Sequence, residues 1–162
     1  MVEKKIEFIL LLVFWIINLT NLKKIFISSD HAGFKLKEAI KFYLSDKKLS
    51  FTDMGPFKES RVDYPDFAHK VAKRVKLNKN NVGILVCGSG MGMNIAANKH
   101  KNIRAAQCFN IKSTKLSRLH NDANIITLGS RVLSKNNALK FISVFLNTKF
   151  EGGRHSKRIS KI

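Results

Sequence analysis

Cys87 is followed at once by three alternating glycines, in the run Gly88-Ser89-Gly90-Met91-Gly92. A thiol that gives up its proton can act as a nucleophile, or as a base that moves a proton next to a carbonyl. The apolar stretch 82–86 in front of it reads as a buried strand, and residues 94–99 behind it read as a helix. A strand that passes through a glycine turn into a helix leaves backbone N–H groups free at the helix N-terminus. Such groups hold an anion or a developing oxyanion, and the local dipole favours a thiolate. Four other groupings have side chains suited to chemistry: Asp30-His31, His120-Asn121, Gly129-Ser130-Arg131, and the pair Arg154 and Arg158.

Spacing disposes of three familiar readings of the Cys87 stretch. A dinucleotide fingerprint needs a third glycine three residues after the second, and position 93 is Met. A nucleophile elbow needs Gly two residues before Ser89, where Cys87 stands. A cysteine-phosphatase loop needs an Arg six residues after the thiol, which is again Met93. The inert alternative is a small thiol buried in a turn. Cys87 and Cys108 form no disulfide framework, which suits a reducing, cytoplasmic setting. The histidines His31, His69, His100, His120 and His155 include no H-x-x-x-H pair, so neither a metal nor another cofactor is expected.

The chain has 162 residues, enough for one domain with a sizeable core, and a formal net charge of +19. That balance favours anionic partners such as sugar phosphates or nucleotides. Its lysines are scattered and not interleaved with aromatics, and no nucleic-acid-binding motif is present, so nucleic acid is not expected. Residues 1–22 differ from the rest. Their apolar run 8–17 is too short to span a membrane and lacks a small-x-small cleavage site, so a dispensable extension is expected, with a membrane-associated helix as the second reading.

From residue 23 onward, strands and helices alternate. Strands are expected at 24–29, 49–54, 82–87, 105–109 and 124–128. Helices are expected from Phe34, with an apolar face ending at Leu44; from the Asp63-Tyr64-Pro65 start; at 94–99; at 111–119; and at 136–146, before a polar, basic C-terminal tail. Asp30 stands where it could cap the first helix. This alternation implies an α/β fold with a doubly wound, five-stranded parallel sheet, a Rossmann-like or flavodoxin-like three-layer sandwich over 23–162. Asp30-His31, Cys87 and Gly129-Ser130-Arg131 all follow strands, so they share the carboxyl edge of the sheet, where ligands bind in such folds. His120 precedes its strand and belongs to the opposite edge, so loop geometry or a second subunit must bring it to the site. Arg154 and Arg158, four apart, share a face if the tail is helical and could grip a phosphate.

Taken together these stretches closely resemble the ribose-5-phosphate isomerase type B family, which also includes galactose-6-phosphate isomerase subunits. The resemblance covers about residues 23–160. It rests on Asp30-His31-Ala32-Gly33, Asp63-Tyr64-Pro65, Cys87-Gly88-Ser89-Gly90-Met91-Gly92, Asn98-Lys99, Ile103-Arg104-Ala105, Ser117-Arg118-Leu119-His120-Asn121-Asp122, Leu128-Gly129-Ser130-Arg131 and Glu151-Gly152-Gly153-Arg154-His155. It implies a metal-independent aldose–ketose isomerase that interconverts ribose 5-phosphate and ribulose 5-phosphate through an enediolate. By that resemblance Cys87 is the base, His120 opens the furanose ring, and Ser89 assists. The backbone amides of Gly88, Ser89, Gly90, Met91 and Gly92 hold the enediolate, and Asp30 and Asn121 bind sugar hydroxyls. His31, Arg131, Arg154 and Arg158 match phosphate-site positions. The resemblance further implies a homodimer, or a dimer of dimers, with composite sites.

Overall fold

The structure is a computed structural model and describes residues 24–162; the expectations for 1–22 lie outside the described residues. Eleven elements follow in chain order among these residues: β1 (Ile25–Ser29), α1 (Phe34–Asp46), β2 (Phe51–Asp53), α2 (Tyr64–Val75), β3 (Val82–Cys87), α3 (Met91–Ala97), β4 (Ala105–Gln107), α4 (Ile111–Asn121), β5 (Ile125–Gly129), α5 (Lys135–Asn147) and α6 (Arg154–Ile159). The five strands form one parallel sheet in the order β2-β1-β3-β5-β4. The fold is therefore the expected doubly wound α/β sandwich, with its last two strands exchanged relative to the flavodoxin order 2-1-3-4-5.

The central strands carry apolar residues without alternation because both faces of the sheet are covered. Ile25, Ile27, Ile84, Val86, Ile126 and Leu128 pack against α1 and α5 on one face. Phe26, Leu85, Cys87 and Ile125 pack against α2 and α3 on the other. Successive strand residues point to opposite faces, so Cys87 leans toward the α2–α3 layer. Each fully buried aliphatic side chain of the central strands contributes about 1.5–3 kcal/mol. The row Ile27, Ile84 and Ile126, all at 0% exposure, thus holds β1, β3 and β5 in line beneath the site.

The two edge strands are shorter than expected, at three residues each. Each pairs on one side only, so β2 gives up the ends of 49–54 and β4 ends before Cys108. Helix α3 begins earlier than expected, at Met91, and α4 runs two residues further, to Asn121. Asp122 then stops α4 in the left-handed conformation, at φ 43°. The tail is not irregular, because residues 154–159 form α6.

Candidate active site

The sheet changes winding direction between β1 and β3, and a ligand cleft opens at the carboxyl ends of strands at such a point. Register places Ser29 beside Val86 and Cys87 beside Gly129, so three chain exits meet there. The Asp30 N–H donates to Val86 O at 3.0 Å. Ser130 ties the other two exits together: its N–H reaches Cys87 O at 2.8 Å, and its hydroxyl reaches Ala32 O at 2.8 Å. Gly33 must be glycine, since a Cβ there would collide with the Val86 carbonyl. Asp30 is not the cap of α1. Gly33 holds that position, and the Asp30 carboxylate accepts the Gly33 N–H at 2.8 Å, which fixes the turn between β1 and α1.

The glycine run folds back over its own cysteine. Gly90 takes φ 85°, a conformation costly for any side chain, and from there its N–H donates to Cys87 Sγ at 3.1 Å. The thiol is 4% exposed, so it meets the cavity and little else of the solvent. That amide is a direct hydrogen-bond partner of the sulfur, and helix α3, which starts at Met91, is only seven residues long. Ser89 closes the turn: its hydroxyl accepts from the Met91 N–H at 3.3 Å, and its carbonyl accepts from Gln107 Nε2 at 2.9 Å. Gly129 is also forced, because a Cβ there would lie 2.5 Å from Ser89 O.

The resulting cavity, about 510 Å3, is lined by Asp30, His31, Tyr64, Cys87, Ser89 and Arg131, among others. Gly88 and Gly92 also face it, whereas Gly90 lies behind the turn with its N–H on sulfur. The Arg131 side chain lies across Gly88, within 3.4 Å of where a Cβ would stand, and the Arg131 backbone N–H donates to Gly88 O at 3.0 Å. Tyr64 lies against Gly92 in the same way. His31 is steadied by the Val62 backbone, with Nδ1 3.2 Å from the carbonyl. The cavity thus combines a thiol, a carboxylate, an imidazole and a guanidinium with backbone donors, a set that can bind an anion and move a proton.

His120, Asn121, Arg154 and Arg158 do not join it. His120 and Asn121 close α4, and Asn121 lies beside Arg104, whose Nε donates to the Asn121 carbonyl at 2.9 Å. Arg154 and Arg158 share α6 with His155. The His155 ring stacks on His120, with centroids 4.2 Å apart and planes within 8°. Glu151 stands 3.7 Å from His120 Nε2. Sequence reading gave no role to Tyr64, Gln107, Ser130, Glu151 or His155. Tyr64, Ser130, Glu151 and His155 sat inside motifs already singled out, but their contacts, like those of Gln107, arise only from folding.

A cavity at the switch point of a parallel sheet, with a thiol held under a backbone amide and a guanidinium opposite an Asp-His pair, defines an enzyme of the α/β class that works on small anionic molecules. The chain belongs to the ribose/galactose isomerase family, whose model matches residues 25–162. It is a sugar phosphate isomerase of that family. A Rickettsia bellii relative, named no more finely than as a sugar phosphate isomerase, is 46% identical over 138 residues, covering 85% of this chain and 96% of its own length. The structure of a ribose 5-phosphate isomerase from Thermotoga maritima matches with a TM-score of 0.83 at 47% identity, over 85% of this chain and 95% of the other. That of ribose-5-phosphate isomerase B from Mycoplasma genitalium, with bound ribulose-5-phosphate, matches with a TM-score of 0.83 at 44% identity, over 85% and 92%. No helix among the described residues is long and apolar enough to cross a membrane.

Proposed function

We propose that the chain interconverts D-ribose 5-phosphate and D-ribulose 5-phosphate through an enediolate, with Cys87 as the base. The observation that carries this reading is the Gly90 N–H on Cys87 Sγ, at 3.1 Å, inside a cavity that also presents Asp30, His31 and Arg131. The bound ribulose-5-phosphate of the Mycoplasma genitalium relative supports the choice of substrate.

In the forward direction the Cys87 thiolate takes the proton from C2 of the open-chain aldose. The electron pair moves onto O1, which takes up a proton as the O2 hydroxyl gives one up; C2=O then forms as the thiol returns the first proton to C1. The negative charge on the enediolate oxygens meets the backbone donors of Gly88, Ser89 and Gly92, with the Ser89 hydroxyl beside them, while the N–H groups of Gly90 and Met91 hold the Cys87 sulfur and the Ser89 hydroxyl; fixed donors at a developing oxyanion are a large catalytic term. Asp30 binds sugar hydroxyls, while Arg131 and His31 face the phosphate end. Ring opening falls to His120, and Asn121, Arg154 and Arg158 complete hydroxyl and phosphate binding. These four stand outside the cavity of their own chain, so the reading includes a homodimer, or a dimer of dimers, in which a partner supplies them. Thiol and amides supply the chemistry without a metal. Two reduced thiols suit a cytoplasmic setting.

The test is turnover of the purified chain on ribose 5-phosphate, allose 6-phosphate and galactose 6-phosphate. Ribose 5-phosphate should give the highest kcat/KM. A higher value on either hexose phosphate would reassign the substrate to a six-carbon sugar on the same scaffold.

A further inference from the structure

Among the described residues, His120, Glu151 and His155 each offer one ligand atom, and these atoms lie within 4.8 Å of one another. They come from three pieces of chain that fold against each other. His120 is on the last turn of α4, His155 on the first turn of α6, and Glu151 lies in the strap between α5 and α6. The Glu151 N–H donates to Leu119 O at 3.0 Å, which pins that strap to α4. We propose that these three side chains bind a late first-row divalent cation of the zinc class, and that its binding inhibits the enzyme.

The donor set fits that chemistry. Two imidazoles and one carboxylate suit zinc and its neighbours, whereas magnesium and calcium take oxygen ligands. Three protein ligands leave a fourth position open. Tetrahedral donors about 2.0–2.1 Å from zinc stand roughly 3.3 Å from each other. Glu151 Oε2, at 3.7 Å from His120 Nε2, is already close to that separation. The widest pair closes by at most about 1.5 Å, within reach of a side-chain rotation. His155 is buried and holds its place, while half-buried His120 must turn out of its parallel stack on that ring, and exposed Glu151 must swing, to aim their donors at one ion. The nearby positive charge of Arg154 and Arg158 opposes a cation, so affinity should be micromolar rather than nanomolar.

Inhibition has two routes. The cation occupies His120, and it competes with Arg154, whose Nε lies 3.5 Å from His155 Nε2. The inhibitory half of the proposal rests on the roles given above to His120 and Arg154; the binding half does not. Zinc binding is measured on the full chain by competition with a chromophoric chelator, in a Cys87→Ala background that removes the rival thiol. One zinc per chain should bind, and Glu151→Gln or His155→Gln should weaken it at least tenfold, with the fold checked by circular dichroism. His69→Gln should leave it unchanged, which excludes the separate His69–His100 pair, whose ring nitrogens lie 2.8 Å apart. No saturable binding, or binding that survives Glu151→Gln in a folded protein, overturns the site. With Cys87 intact, zinc should inhibit turnover in competition with sugar phosphate, magnesium should not, and a chelator should reverse the effect. Glu151→Gln, compared with its own zinc-free turnover, should resist zinc at least tenfold better than the unaltered chain. Binding at the three residues without inhibition overturns the inhibitory half and, with it, the role of His120.

Discussion

Cys87 and Cys108 are both buried thiols, yet their surroundings send them to different fates. Cys108 lies just past β4 in the core beneath α5, and burial pushes its thiol pKa up despite hydrogen bonds from Thr114 and Ser117. Cys87 meets an N–H donor and a cavity. Cys87→Ala should therefore lower kcat at least about 100-fold while substrate still binds, the low end for loss of a general base. Cys87→Ser should do little better, because an alcohol is far too weak an acid to ionise there. Cys108→Ala should keep kcat and cost about 1 kcal/mol of stability. Iodoacetamide at neutral pH should alkylate Cys87, lose that reaction when substrate is present, and spare Cys108, as peptide mass mapping would record. Near-normal turnover of Cys87→Ala in a preparation free of host isomerase would move the base to a carboxylate, with Asp30 first. Cys87 could be singled out in the sequence because its turn is built from neighbours in the chain. His155 could not, since its stacking on His120 depends on how α6 docks against α4.

The elements that hold the cavity lean on one buried ion cluster. Lys37, at 0% exposure, reaches both Asp53 oxygens at 3.0 Å and Pro56 O at 2.6 Å, and Asp53 also accepts the Gly55 N–H at 2.9 Å. Gly55 O in turn accepts the Ser28 hydroxyl and, at 3.2 Å, the Ser29 N–H, so α1, β2 and the end of β1 are locked together one residue before Asp30. Burial would raise the Asp53 pKa, but hydrogen bonds from Lys41, the Gly55 amide and Lys37 outweigh it and hold the carboxyl below its usual range. The stability this confers is full above the unfolded value of about 3.9 and drains away as pH falls through the lower folded value. Urea unfolding should show that loss in acid, and Asp53→Asn should remove part of the pH dependence in this window, Glu38, held low by the same two lysines, keeping the rest. The same change should cost about 3 kcal/mol at pH 7, because buried Lys37 loses its buried carboxylate partner and keeps only the half-exposed Glu38, 3.1 Å away. An unaltered acid profile would assign the transition to other carboxylates. Periodicity revealed α1 through its apolar face but not the buried lysine on it, since a lysine in a helix reads as solvent-facing until its partner from β2 is placed. At the other end of the chain, the sequence left the tail's structure open, and α6 meets the condition under which Arg154 and Arg158, four apart, share a face. Arg154→Ala and Arg158→Ala should each raise KM roughly ten- to a hundredfold with a smaller change in kcat, as expected for loss of a charge-assisted contact worth about 1.5–3 kcal/mol. Unchanged constants in both would leave α6 a solvated basic end.

At the scale of the whole molecule, one chain holds the parts of its proposed site in two places. The strand alternation fixed the sheet edge of Asp30, Cys87 and Arg131 in advance, and it equally placed His120 at the far edge, because that residue precedes β5. Folding has not closed this gap: among the residues around the cavity there is none from α4 or α6. Residues 1–22 lie outside both the family match and every motif, so their deletion should leave folding and kcat/KM unchanged; loss of active protein would mean that they pack on the domain. A second copy can supply what is missing. Met91, Ile95, Phe109, Ile111 and Val132 are apolar and more than half exposed, and they follow β3, β4 or β5 at the edge that carries the cavity. A two-fold pairing over such a surface would bury the same apolar side chains from both copies, and the proposed composite site requires that it bring α4 and α6 of each to the cavity of the other. Sedimentation at assay concentration should therefore show a dimer or a dimer of dimers, and a fully active monomer would end the idea. Mixing tests the sharing itself. Cys87→Ala and His120→Asn chains should each be nearly inactive, yet after equal mixing and exchange half of the dimers are mixed, each with one intact site. Activity should recover to about one quarter of the wild-type value by this count of two-fold sites. Mixed dimers demonstrated by tagged co-purification but still inactive would place Cys87 and His120 in the same subunit's site, and would require α4 to move toward the cavity within one chain.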